Sequence, residues 1–246
     1  MPSDGPSGGA AAGVPITDFE TVLRTTRSVR KRLDLDREVE LSVVHECLDL
    51  ALQAPTGGFS QDWRFIVVTD AELRQKIARY YEQAYEAEVA AALQSRSLYA
   101  QKVKGRLAEA TDPTAKQRVQ RILDGAEHLA RNLHRVPVHV IACATRPNPE
   151  RGGPGTSAGL YGSVFPAVWS LQLALRSRGL GSIITTLHLH HEQEVADLLG
   201  IPEEATQVCL LPVAYTIGLD FRPASRREVS EVTYLDRWGE PLPIGH

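Results

Sequence analysis

Ser163-Val-Phe-Pro-Ala-Val-Trp-Ser-Leu-Gln-Leu-Ala-Leu-Arg-Ser-Arg-Gly179, continuing as Leu180-Gly-Ser-Ile-Ile-Thr-Thr-Leu187, is the stretch the rest of the chain is arranged around. Its first part reads as a helix. Ser163 suits an N-cap, Pro166 falls in the first turn where its missing N–H is harmless, and Gly179 suits a left-handed C′ position. Val164, Val168, Leu171 and Leu175 share one face by spacing, and Phe165, Trp169 and Leu173 mark a neighbouring one. A helix apolar almost all round is buried on more than one side. At ~16 residues, with a polar end, this one is too short to span a membrane. It is either the central helix of one core or a helix that packs on its own domain and on a second subunit, and the second reading is favoured. Ser182 to Leu187, short and rich in β-branched residues, reads as a buried strand.

Hydrophobic residues at 43% and charged residues at 23% of 246 are those of a soluble globular protein with room for a large core. A net charge of −3 argues against nucleic acid or an anionic membrane as the main partner. Cys47, Cys143 and Cys209 fit no metal-ligand spacing and lie in apolar patterns, so buried thiols in a reducing compartment are expected. No charged segment leads into an apolar run at the N-terminus, and the expected location is the cytoplasm. Residues 1–15, all Gly, Ala, Pro, Ser and the like, read as a mobile tail. No repeat or linker follows, so residues 16–246 are expected to form one domain.

Thr17 or Asp18 caps a short helix that leads into Thr25-Thr-Arg-Ser-Val-Arg-Lys-Arg32, four cations around a serine. On composition this is a solvated face, but guanidiniums flanking a hydroxyl also suit a phosphate. Glu40 to Gln53 is an amphipathic helix ended by Pro55. In the loop Pro55 to Trp63, Gly57 and Gly58 beside Ser60 and Gln61 permit close approach to a planar ligand, although the loop alone favours a plain turn into the strand Arg64 to Thr69. Asp70 caps a helix reaching about Leu93, and Tyr80, Tyr81 and Tyr85 on it read as packing and surface. A helix from Pro113 carries the stripe Val119, Ile122, Ala126, Leu129, Leu133, and a strand runs from Val138 to Ala144. Arg146 to Gly159, rich in Pro and Gly, reads as a lid or binding loop, with disorder its rival. His191 to Leu199 is a helix closed by Gly200. His188, His190 and His191 lack the Cys or carboxylate partners of a zinc site, so no metal is expected. Val208 to Ile217 is a strand in which Pro212 suggests a bulge or an edge. A second basic cluster follows at Phe221 to Arg227. The class is α+β, a central sheet with helices on both faces.

There is no Walker loop, no GxGxxG after a strand, no nucleophile elbow and no HExxH. Gly179-Leu-Gly-Ser182 closes a helix rather than opening one, which excludes a dedicated nicotinamide domain. Four features nevertheless stand in one order: Arg27-Ser-Val-Arg30, Ala54-Pro-Thr-Gly-Gly-Phe-Ser-Gln-Asp-Trp-Arg-Phe65, Gly179-Leu-Gly-Ser182 and a late Arg226. With these the chain resembles the FMN-dependent nitroreductase family from residue 17 to about 238. Phe165-Pro-Ala-Val-Trp-Ser and Thr185-Thr-Leu-His-Leu look most like an actinobacterial branch of it.

The resemblance implies a nitroreductase-like fold, a central mixed or antiparallel sheet flanked by helices, and a homodimer with FMN at the interface. By position, Arg27, Ser28 and Arg30 would hold the phosphate and ribityl chain, joined by Arg226 or, since Arg227-Glu228 stand where a proline is common, by Arg227. Pro55, Thr56 and Gly57 would come from the other subunit, and Thr185, Thr186 and Leu187 would line the ring with a backbone donor near its N5 atom. Phe59, Asp62 and Thr26 depart from residues common in the family. The activity implied is ping-pong hydride transfer from NAD(P)H to an electron-poor small molecule, a nitroaromatic, quinone or enone, with no catalytic side-chain acid or base. Alternatives on the same scaffold are a dehalogenase, a flavin-cleaving enzyme, a biosynthetic oxidase, or a flavin-binding protein without catalysis.

Overall fold

Val138–Ala144 (β2) is buried at every position, which requires both faces of its sheet to be covered. It lies between Trp63–Val68 (β1) and Thr206–Tyr215 (β4), and Leu180–Ser182 (β3) completes the order β1-β2-β4-β3, antiparallel throughout. This computed structural model describes residues 16–93, 105, 113–146 and 154–243, so the expected 1–15 tail lies outside the described residues.

The helices are Phe19–Thr25 (α1), Leu41–Ala51 (α2), Ala71–Leu93 (α3), Pro113–Asn132 (α4), Pro154–Ser177 (α5) and Glu192–Leu199 (α6). Because strand side chains alternate, β2 feeds two cores. Val138, Val140 and Ala142 meet α2 and α5 on one face, and Ile141 and Cys143 meet α3 and α4 on the other. The expected α+β sheet with helices on both faces is thus what forms. Local signals act as read: Asp18 and Asp70 carboxylates each accept an N–H of the first turn at 2.8 Å, and Gly200 ends α6 at φ 67°. The three cysteines are unpaired and buried, and burial pushes the thiols of Cys143 and Cys209 up to about 12 and that of Cys47 to about 11, so they are inert.

Three expectations are corrected. First, α5 begins at Pro154 rather than at Ser163. Ser163 is buried inside it, donating to Gly159 O (2.7 Å) and accepting from Gly57 N (3.0 Å), and Pro166 is an interior proline. Gly155, Gly159 and Gly162 oppose helix by propensity, but burial of Leu160 and Val164 against the sheet overrides them. Residues 154–159 are therefore helix and not loop, while 147–153 lie outside the described residues. The length argument against a membrane span also lapses. What remains is that half of the most apolar window of α5 is buried within the protein.

Second, Ser182 to Leu187 is not one strand: β3 stops at Ser182, and Thr185 makes an isolated bridge to Leu210. Third, Pro212 sits in β4 inside the sheet, neither at an edge nor at the one irregularity of the β2–β4 ladder, between Ala142 and Cys143. The last two corrections share a cause. Thr216 N and Leu210 N donate toward the β3 side, and continuing the same register sets Pro212 opposite Ile183. Proline offers no N–H there, so the ladder is interrupted between Ser182 and Thr185. The stripe on α4 is only half buried: Leu129 and Leu133 are in the core, whereas Ile122 is exposed.

Candidate functional site

The first basic cluster is stitched along the β3 edge. Ser28 bridges Ser182, Val29 N donates to Ser182 O (3.0 Å), and Asp34 N donates to Tyr215 O (2.8 Å). Gly181 permits this, because a Cβ there would come within 2.7 Å of Thr216 Cγ2 and 3.0 Å of Val29. The second cluster meets the first: Ile217 N donates to Arg32 O (2.8 Å), and Arg27 Nη1 donates to Arg222 O (3.0 Å). Arg226 and Arg227 lie exposed on the same C-terminal segment, with Arg226 Nη1 donating to Ser225 O (3.3 Å). The structure therefore brings Arg222 to Arg27, and Arg226 to the same limb.

Lys31 and Arg32 pair with Asp124 (3.6 Å) and Asp220 (2.7 Å), and half-buried Arg27 and Arg30 flank exposed Ser28. Forked donors flanking a hydroxyl, in a corner with more cations than carboxylates, suit a dianionic phosphate. The C-terminal half of α5 braces this corner. Gln172 Nε2 donates to Ser182 Oγ (3.0 Å), and buried Arg176 donates to Thr25 Oγ1 and Leu219 O. Sequence reading missed both. The signal was their continuation of the i+4 line Val164, Val168, Gln172, Arg176, which carries polar groups into the core.

Past the gap in the sheet, Thr185 exchanges backbone hydrogen bonds with Leu210 (3.0 and 2.9 Å), and its hydroxyl is 2.8 Å from the hydroxyl of buried Tyr81 on α3. Tyr81 is thus more than packing. Thr186 is exposed at the start of the single turn Leu187–His191, and Leu187 packs partly into the α3 core. Since the Thr185 N–H is engaged, a backbone donor from this segment toward a ligand has to come from Thr186 or Leu187. Behind them lie His188 and His139, both fully buried. Burial holds His139 down at about 4 despite its bond to Leu133 O, and burial with the neighbouring His139 holds His188 down at about 3. Both are neutral at pH 7.

Pro55, Thr56 and Gly57 are elsewhere. Gly57 N bonds Ser163 Oγ, in the middle of α5, whereas Arg176 and Gln172 touch the cationic corner near its end. At 1.5 Å per residue, Ser163 and Arg176 are roughly 20 Å apart along the helix. Between them run exposed Trp169 and half-buried Phe165 and Leu173, the face the spacing set apart, and exposed Tyr161 extends that line one turn earlier. Gly58, Phe59 and Gln61 of the loop have φ of 61°, 54° and 48°. Two are not glycine, and Phe59 is 84% exposed. The loop is tied to the end of β2 by Thr145 N donating to Asp62 O (2.8 Å) and by an Asp62–Arg146 ion pair.

A four-stranded antiparallel sheet sandwiched by helices, with a cationic corner where the segment of Arg27 to Arg32 meets that of Ile217 to Arg222, defines the class as an α+β protein. The model of the Nitroreductase family matches residues 23–215, and the chain belongs to that family. It is 30% identical over 168 residues to an iodotyrosine deiodinase of Thermotoga neapolitana, covering 68% of this chain and 73% of that one. It is 24% identical over 196 residues to an iodotyrosine deiodinase of Drosophila melanogaster, covering 79% of this chain but 61% of the relative's length. Among solved structures, an oxidized iodotyrosine deiodinase bound to FMN and 3-iodo-L-tyrosine superposes with TM-score 0.59 at 23% identity, over 89% of this chain and 97% of that one. The FMN-dependent nitroreductase NfnB of Mycobacterium smegmatis in complex with NADPH gives TM-score 0.59 at 20% identity, over 89% and 97%. These two likenesses establish the fold.

Proposed function

We propose that the chain is an FMN-dependent oxidoreductase that works as a homodimer, each site taking its anion corner from one subunit and its Pro55–Gly57 loop from the other. The observation that carries this is the separation of the two along α5. The loop sits at Ser163 in the middle of the helix and the corner at Arg176 in its last turn. At roughly 20 Å apart they are too far for one chain to bring both onto one flavin, so a second copy would complete the site. The exposed Tyr161 and Trp169 face supports an interface along that helix.

Arg27, Ser28 and Arg30, with Arg226 or Arg227, would hold the phosphate, Thr185 to Leu187 would border the ring, and Pro55, Thr56 and Gly57 of the partner would close over it. When bound, FMN supplies a two-electron carrier that takes hydride from NAD(P)H and passes electrons to a small electron-poor acceptor. The chain's own part is to bind, orient and exclude water, and Tyr81 fixes the Thr185 hydroxyl at the border of the ring. Three unpaired thiols support a reducing, cytoplasmic setting. The absorption spectrum of freshly purified protein tests the cofactor: flavin bands that bleach with NADPH under anaerobic conditions are expected, and colourless protein indifferent to added FMN would overturn the reading.

A second reading, reductive dehalogenation of a halogenated phenol, is favoured by the two relatives named as iodotyrosine deiodinases. The dithionite-reduced protein offered 3-iodotyrosine and a nitroaromatic separates the two. Iodide release with a slow nicotinamide reaction selects the dehalogenase, and rapid NADPH-driven nitro reduction selects the reductase.

A further inference from the structure

A buried guanidinium ordinarily faces a carboxylate. Arg176 is 3% exposed in the last turn of an otherwise apolar helix and makes no ion pair among the described residues. Its Nε and Nη2 donate to Thr25 Oγ1 (3.4 Å each), Nη2 also donates to Leu219 O (2.9 Å), and Nη1 is buried without an acceptor. Thr25 Oγ1 donates to Thr21 O, which leaves its lone pairs for the arginine. The guanidinium carbon stands 4.6 Å from the centroid of the Phe221 ring, and that of Arg32 stands 4.1 Å from the same centroid. Asp220, the carboxylate at hand, is bonded to Arg32. Burial, with the nearby Arg32 charge added, makes the protonated form of Arg176 costlier than usual. The C-terminal end of a helix favours a cation but offsets only part of that cost.

These contacts share a geometry. Thr25 directly precedes the limb bearing Arg27, Ser28 and Arg30. Leu219 and Phe221 directly precede Arg222, whose carbonyl accepts from Arg27. One side chain therefore touches both limbs of the corner at their roots. We propose that Arg176 is a positioning residue of the anion site: it clamps the N-terminal limb to the C-terminal one, and its buried charge is compensated by the phosphate those limbs receive. The proposal rests on reading the corner as the FMN phosphate site.

FMN and riboflavin share a ring and a ribityl chain but differ by the phosphate, so their affinities separate this role from general packing. Deflavinated full-length protein is titrated with each flavin, following fluorescence quenching, for the native chain, Arg176→Met and Thr25→Val. Arg176→Met is expected to weaken FMN roughly ten- to hundredfold, the scale of a charge-assisted bond, and to leave riboflavin within about twofold. Thr25→Val, which removes the acceptor but keeps the buried arginine, is expected to move the FMN-to-riboflavin ratio in the same direction, and it decides the matter if Arg176→Met does not fold. Equal losses for both flavins, or no loss for either, overturn the proposal. Arg27→Ala is run alongside. If it too leaves the ratio unchanged, the phosphate site itself has been misread; if it collapses the ratio while the Arg176 and Thr25 variants do not, only the clamp is wrong.

Discussion

The middle of α5 and its C-terminal end are held by different means. At its C-terminal end, buried Gln172 and Arg176 hold two chain segments against the sheet, and a glycine without room for a Cβ brings them together. At its middle, Gly57 N to Ser163 Oγ is a single bond to a loop with three left-handed residues, one of them an exposed phenylalanine. The C-terminal end is tied by buried bonds within the chain; the loop at the middle presents an exposed aromatic side chain. The difference teaches that segments proposed to serve one site need not be near each other in the fold of a single chain. The cationic corner is complete within one chain, whereas on the proposed reading the loop acts only against another copy.

The largest expected effect is acid sensitivity on the buried side. Unfolded histidine binds a proton below about pH 6.5, whereas folded His139 and His188 resist until about 4 and about 3. The unfolded state therefore binds more protons in that window. Their contribution to stability is full above about pH 7 and falls as the pH drops, by several kcal/mol at pH 4. Urea unfolding at pH 7 and pH 4 measures it, and His188→Leu should flatten the dependence. At the loop end Asp62 behaves differently. Burial alone would raise its carboxylate, but Ser60, its own backbone and Arg146 hold it below its usual value. Its contribution is present above the ordinary carboxylate range and lost only at still lower pH.

The next effect tests the division directly. Arg27→Ala should lower FMN affinity by about 1.5–3 kcal/mol, and Gly57→Leu, in the loop at the middle of α5, should also impair loading. If sites are shared, co-expressing the two variants should restore roughly a quarter of the sites, since half of randomly paired dimers are mixed and each mixed dimer has one intact site. Flavin content per chain reports this, and a mixture no better than its parents would break the comparison.

Smaller still, Ser163→Ala removes the acceptor for Gly57 N and should cost about 1 kcal/mol in thermal or urea unfolding, with little change in the affinity of the corner for inorganic phosphate. The smallest change is a gain. Phe59→Asn relieves a left-handed position that bulky residues adopt with strain, and should stabilise by about 0.5–1 kcal/mol.

Much of this was legible in the sequence because local chemistry and tertiary outcome agree there. Asp18 and Asp70 cap, Gly200 terminates, and Val138 to Ala144 alternates between two apolar cores. Where they disagree, the sequence misleads. Ser163 looks like a cap but serves a loop, because three glycines that resist helix are overridden by packing that no local signal encodes. Pro212 speaks for an edge, yet its missing donor faces a partner strand that the same proline interrupts, a relation between residues 183 and 212 invisible until the register is known. Arg176 looks like an ordinary basic residue ending a helix. Its burial depends on Thr25 and Leu219, which approach only once both ends of the chain have docked.

The bond from Arg27 to Arg222 closes a loop of 195 residues. Contacts between such distant positions form late, since the entropy of closing the loop must be overcome first. During translation, then, a nascent chain cannot join residue 27 to residue 222 until the latter has cleared the ribosome, and on the proposed reading cofactor capture waits for synthesis to pass that point.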